Sequence, residues 1–159
     1  MEYIVGIGEY IISTNNEDIV KTFALSTCVA MVIYDQNKKI LAMAHVLLPN
    51  ASTDVDDEAY RTAKYADRAV YNVINEMKLK YNCNLKDFKI SLYGGVDSEL
   101  EDRFKVGERN LTVIKEILND MNLRYEIVNT GGRVSRTLIA HTATGEVEVK
   151  SIPIQGVFS

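Results

Sequence analysis

The sequence predicts a layered α/β sandwich of the α+β kind, with mixed, mostly antiparallel β-sheet and two main helices. Three observations carry this. Short apolar runs punctuated by turn residues dominate both ends of the chain. Two stretches with helical spacing lie between them. The order of strands, helix, strand, helix, strands lacks the strict alternation of a doubly wound fold. The 159 residues are 47% hydrophobic and 25% charged, with only two Pro. That is enough chain to bury a core without staples, so one domain over residues 1–159 is expected.

The elements follow in order. Tyr3–Ile7 is a short apolar run, and Glu9–Ser13 is expected to continue it past a kink at the Gly6/Gly8 pair. After the polar turn at 14–18, Ile19–Leu25 is a third strand. Val29–Tyr34 and Ile40–Leu48 are apolar on both faces and read as central strands, joined by a hairpin turn at 35–39. A polar loop spans Pro49–Asp56. A helix is expected over Asp57–Tyr81, where Ala63, Ala66, Ala69, Val70, Val73, Ile74 and Met77 recur at helical spacing behind an acidic start. Phe88–Tyr93 is a strand that ends at Gly94-Gly95. Gly107–Met121 is the second helix, with Leu111, Ile114, Ile117, Leu118 and Met121 on one face. Tyr125–Val128 is a strand, and Val134–His141 with Glu146–Ile152 forms a closing hairpin around Thr144-Gly145.

Composition excludes some functions. A net charge of −4 argues against a nucleic-acid binder held by phosphate contacts. Lys105, Arg109, Arg124, Arg133 and Arg136 are the candidates for a local basic patch, and scattered basic residues usually form a solvated surface. No stretch has the apolar length of a membrane span. Met1 to Gly6 lacks a basic region followed by a long apolar run, so a cytoplasmic location is expected. The two Cys, Cys28 and Cys83, are then expected to stay reduced. Together with His45 and His141 they lack zinc-ligand spacing, so no metal is expected.

The candidate chemistry rests on Cys28 and His45. If the hairpin turn is centred between Gln36 and Asn37, Ile33 faces Ile40 and Cys28 faces His45. Opposed residues share a face with Cβ atoms about 5 Å apart. An imidazole there can take a thiol proton and activate the sulfur. Read alone, Cys28 is a core cysteine and His45 a hydrogen-bonded core histidine; read together, they are a nucleophile and a base. Thr22 offers a hydroxyl that can accept a hydrogen bond from the imidazole.

Gly6-Ile7-Gly8-Glu9-Tyr10, Leu25-Ser26-Thr27-Cys28-Val29-Ala30 and Met43-Ala44-His45-Val46-Leu47-Leu48-Pro49 carry a resemblance. So do Lys64-Tyr65-Ala66-Asp67, Gly94-Gly95, Gly107-Glu108-Arg109-Asn110 and Thr130-Gly131-Gly132 followed by Ser135-Arg136. Together they resemble the chemoreceptor glutamine deamidases of the CheD family over nearly the whole chain. The resemblance implies a hydrolase that converts chemoreceptor glutamine to glutamate through a Cys thioester in chemotaxis, with Cys28 as nucleophile, His45 as base and Thr22 orienting the imidazole. It implies backbone N–H groups near Thr27 and Cys28 as the oxyanion site, with Ser26 and Thr27 positioning. Ser26 stands where the family usually has Gly, which matters if that position needs a positive φ. No cofactor is implied. The implied partners are chemoreceptor cytoplasmic domains and a CheC-type phosphatase, met through the Tyr93–Val96 and Arg103–Asn110 region. A non-catalytic receptor- and CheC-binding module is the alternative, and a general cysteine amidase or peptidase ranks below both.

Overall fold

The computed structural model describes residues 1–50, 62–95, 105–130 and 134–153. Its strands form two sheets. The five-stranded sheet has the order β2 (Tyr10–Ser13), β5 (Ile40–Val46), β4 (Val29–Asp35), β6 (Phe88–Gly94) and β7 (Glu126–Thr130). The four-stranded sheet has the order β1 (Glu2–Ile4), β3 (Ile19–Leu25), β8 (Val134–His141) and β9 (Val147–Pro153). The β1–β3 and β6–β7 pairs are parallel and the others antiparallel. The mixed, mostly antiparallel expectation therefore holds, and the sheet is double.

The central strands dictate the layers. All seven residues of β4 and all seven of β5 are buried. Alternation sends Val29, Met31, Ile33, Ala42, Ala44 and Val46 to one face, where helices α1 (Ala66–Tyr81) and α2 (Val106–Asp120) cover them. Ala30, Val32, Tyr34, Leu41 and Met43 point the other way and pack on Val20, Leu25, Leu138 and Ala140 of the second sheet. The order is helices, five-stranded sheet, four-stranded sheet.

The helices bury the stripes their spacing predicts. Ala66, Ala69, Val70, Val73, Ile74 and Met77 of α1 are buried, as are Ile114 and Leu118 of α2. Leu111, Ile117 and Met121 pack against the same core while partly exposed. The expected start of α1 near Asp57 is corrected over 62–65, which is not helical; 51–61 lie outside the described residues. Backbone pairing there competes with the helix. The Lys64 carbonyl accepts from Leu47 and Leu48, and the Ala63 N–H donates to Gly8.

Two further corrections matter for the site. The N-terminal runs are not one kinked strand, because β1 and β2 belong to different sheets. The segment between them crosses the sandwich, with Gly8 at φ 82° and its N–H on the His45 carbonyl. The β4–β5 turn is a four-residue loop that pairs Asp35 with Ile40 and Ala30 with His45. Its cause is local. Asp35 Oδ1 accepts from the Asn37 and Lys38 N–H groups, and Lys39 takes a left-handed φ of 55°.

The layered core sets a stability prediction. Ile74→Ala, fully buried between α1 and the sheet, is expected to cost about 3 kcal/mol in urea denaturation. Leu79→Ala, on the outer face of the same helix at 82% exposure, should stay within about 0.5 kcal/mol.

Candidate active site

The corrected register moves His45 two positions from the expected partner and leaves its face unchanged. With Ala30 opposite His45, Cys28 lies on the diagonal, one step beyond the last ladder pair, Val29 with Val46. A shift of two preserves the side-chain alternation, so Cys28 and His45 both point toward the four-stranded sheet. Diagonal neighbours sit about 7–8 Å apart, within reach of long side chains.

Thr22 reaches the same place from β3. Its Oγ1 lies 2.6 Å from His45 Nδ1 and 2.8 Å from the Val5 carbonyl oxygen. A carbonyl only accepts, so the single hydroxyl proton goes to Val5. Nδ1 must then carry the ring proton and donate it to Thr22. This leaves Nε2 as the unprotonated nitrogen. Nε2 is buried and has no hydrogen-bond partner among the described residues. Thr22 and His45 are 0% and 1% exposed. The His45 backbone is pinned as well, its carbonyl accepting from Gly8 and its N–H donating to Glu9.

Burial sets the charges. It pushes the Cys28 thiol up to about 11, against a smaller downward pull from the Cys28 backbone N–H on its own sulfur. It pulls His45 down to about 4. Near neutral pH both groups are uncharged at rest, a thiol and a neutral imidazole on one face with no hydrogen bond between them, rather than a thiolate–imidazolium pair.

The chain around Cys28 is tightly placed. Ala24 takes a left-handed φ of 55° at a bulge between Thr22 and Leu25, just before the Ser26–Thr27–Cys28 turn. Ser26 is not among the positive-φ residues, so standing in place of Gly costs it no backbone strain. The Cys28 carbonyl accepts from the Gly95 N–H at 2.9 Å. Gly94 has φ 90°, and a Cβ there would collide with that carbonyl and with Leu25. From α2, Asn110 Nδ2 donates to the Thr27 carbonyl at 3.2 Å and to the Leu47 carbonyl at 3.1 Å. Among the described residues, no three His, Cys, Asp or Glu side chains gather into a metal-sized cluster.

The structure thus brings Cys28, His45 and Thr22 to one end of the inter-sheet layer, with Ser26 and Thr27 in the turn before the cysteine. Sequence reading missed the role of Asn110 and placed it on a partner surface. It is 0% exposed, and Tyr93, Gly94 and Gly107 of that region are buried too. Lys105, Glu108 and Arg109 are exposed, whereas Val96 and Arg103 lie outside the described residues. The signal was present: Asn110 falls on the apolar stripe of Gly107, Ile114 and Leu118, where a polar residue has to find buried partners. Arg136 is 4% exposed and faces inward beside Leu25, so it drops out of the basic patch; Arg133 and Gly131-Gly132 lie outside the described residues.

A family model described as CheD chemotactic sensory transduction matches residues 47–151. The chemoreceptor glutamine deamidase CheD of Thermotoga maritima is 30% identical over 152 residues, covering 96% of this chain and 93% of its own. The chain belongs to the CheD family. The probable chemoreceptor glutamine deamidase CheD of Syntrophotalea carbinolica is 33% identical, covering 98% of this chain and 96% of its own. The CheD of Bacillus subtilis is 35% identical over 125 residues, 76% of this chain and 74% of its own. The family model begins at Leu47, while the match to the Thermotoga protein covers almost the whole of both chains. No described helix is long and apolar enough to cross a membrane.

The buried neutral imidazole has a consequence for stability. His45 titrates at about 4 folded and near 6.5 unfolded, so acid loads the unfolded chain first. Its contribution is fully present above pH 6.5 and is lost as pH falls toward 4, by about 3 kcal/mol. Denaturation of wild type at a series of pH values should show that slope, and His45→Gln should remove it. Separately, Gly94→Ala is expected to cost at least about 2 kcal/mol in urea, since it strains φ and displaces the Cys28 carbonyl.

Proposed function

We propose that this chain is a protein-glutamine deamidase, acting as one CheD-like domain over residues 1–159. Its substrates are then glutamine side chains of chemoreceptor cytoplasmic regions, as the names of its relatives suggest. The observation that carries the assignment of roles is the Val5–Thr22–His45 chain of hydrogen bonds, which leaves Nε2 unprotonated on the face that Cys28 shares.

In this reading His45 Nε2 takes the Cys28 proton as the sulfur attacks the side-chain carbonyl carbon of glutamine. Coupling transfer to attack suits a pair that is neutral at rest. The carbonyl oxygen becomes an oxyanion, held by backbone N–H groups near Thr27 and Cys28. The imidazolium returns its proton to the departing amine, which leaves as ammonia and gives a thioester. His45 then draws a proton from water, whose oxygen attacks the thioester. Glutamate is released and Cys28 regains its proton. Thr22 holds the ring in the required tautomer throughout. The reaction uses no cofactor.

The product adds a negative charge to the receptor. A reduced Cys28 fits a cytoplasmic setting. A CheC-type phosphatase would compete with the receptor for the face carrying the Cys28 turn, where Lys105, Glu108 and Arg109 are exposed.

The test is mass spectrometry of receptor cytoplasmic fragments after incubation with the protein. Wild type should convert specific glutamines, a gain of one charge and about 1 Da each. Cys28→Ala should abolish conversion. His45→Ala should slow it about 100-fold or more, and Thr22→Val about tenfold or more. Binding without conversion by wild type would establish a non-catalytic module instead.

A further inference from the structure

The β4–β5 ladder ends at Val29 and Val46. Beyond it the strands part, and the carbonyls of Thr27 and Leu47 lose their cross-strand donors. Asn110 fills the fork. Its amide gives one N–H to each strand, at 3.2 and 3.1 Å, from the buried face of α2. Both partners are carbonyls, which fixes the amide orientation, because an Oδ1 in that position would face two acceptors. Oδ1 itself is buried without a hydrogen-bond partner among the described residues. The side chain is therefore placed for its two donors.

The peptide between Thr27 and Cys28 is trans. In a trans peptide the C=O and the N–H point in opposite directions. Turning the Thr27 carbonyl toward Asn110 turns the Cys28 N–H away from α2. That N–H draws the Cys28 thiol downward, against the larger lift from burial. The next peptide is held independently by the Gly95 N–H on the Cys28 carbonyl. With both flanking carbonyls bound, φ and ψ of Cys28 have little freedom.

We propose that Asn110 is a positioning residue of the reaction: by fixing the plane of the Thr27–Cys28 peptide, it aims the Cys28 N–H at the oxyanion that forms when the sulfur attacks. It touches neither substrate nor sulfur and acts through the peptide it holds. The proposal rests on the deamidase reading for its kinetic consequence, and on geometry alone for its effect on Cys28.

The experiment has two arms, run on Asn110→Ala and Asn110→Ser with circular dichroism and thermal melting as folding controls. In the first arm, kcat and KM are measured on a receptor cytoplasmic fragment. Asn110→Ala should lower kcat about 30-fold with KM within about twofold, because a misaimed donor weakens only the transition state. Asn110→Ser, which keeps one donor, should recover part of the loss. In the second arm, the rate of Cys28 alkylation by iodoacetamide is followed against pH, with the Cys28 peptide identified by mass. The thiol titration should move upward in Asn110→Ala, since a turned N–H loses its downward pull on the thiol. A folded Asn110→Ala with unchanged kcat and an unchanged alkylation profile would overturn the proposal. If only Asn110→Ser folds, the same two readouts on that variant decide. If neither folds, Asn110 serves the fold and the positioning role is lost. A wild type that deamidates nothing sinks the deamidase reading, while the alkylation arm still judges the aim of the Cys28 N–H.

Discussion

Burial of the β4–β5 hairpin along both faces is the constraint from which the architecture follows. A strand pair with no polar face has to be covered twice. Helices α1 and α2 cover one side and the four-stranded sheet the other. Two layers of contact also make the hairpin a rigid platform, with its backbone groups spent on ladders to β2 and β6. The N-terminal segment has to cross the sandwich to supply both β1 and β2, and Gly8 permits the crossing beside His45.

The candidate site occupies the one end of that platform where the ladder stops. Within the ladder, peptide groups are used up by neighbouring strands. Past Val29, they are available for other duties. Asn110 takes two carbonyls there and Gly95 takes a third, while the Cys28 N–H exerts a small downward pull on its own thiol. Thr22 belongs to the other sheet, so the site spans the layer between the sheets. Such a site depends on how the two sheets stack, and a change in stacking would separate Thr22 from His45 before it disturbed either sheet.

The same burial governs reactivity. A dry environment opposes both a thiolate and an imidazolium, so Cys28 and His45 are neutral at rest. That protects the thiol from adventitious chemistry. In the proposed reaction, charge has to be created and stabilised at the same moment, by donors already in place. Fixed backbone dipoles suit that task, because they need no reorganisation when the oxyanion appears. The stiffness of the Thr27–Cys28 turn, with its left-handed Ala24 and its close approach to Gly94, fits such a requirement.

Much of this was legible in the sequence, because periodicity is a local property. The double-faced apolar runs marked β4 and β5, the helical stripes marked α1 and α2, and family motifs around Cys28 and His45 marked where chemistry should be sought. Alternation also put Cys28 and His45 on one face, a conclusion that survived a wrong register because the error was an even number. The loop length itself depended on Asp35 capping Asn37 and Lys38, which spacing does not reveal. The crossing of the N-terminal runs between sheets, the burial of Asn110 and Arg136, and the tautomer of His45 were decided only by the tertiary structure. Each depends on groups distant in sequence: Thr22 with Val5 and His45, and Asn110 with Thr27 and Leu47. Local pattern determines which way a side chain faces; what it meets there depends on how the layers stack.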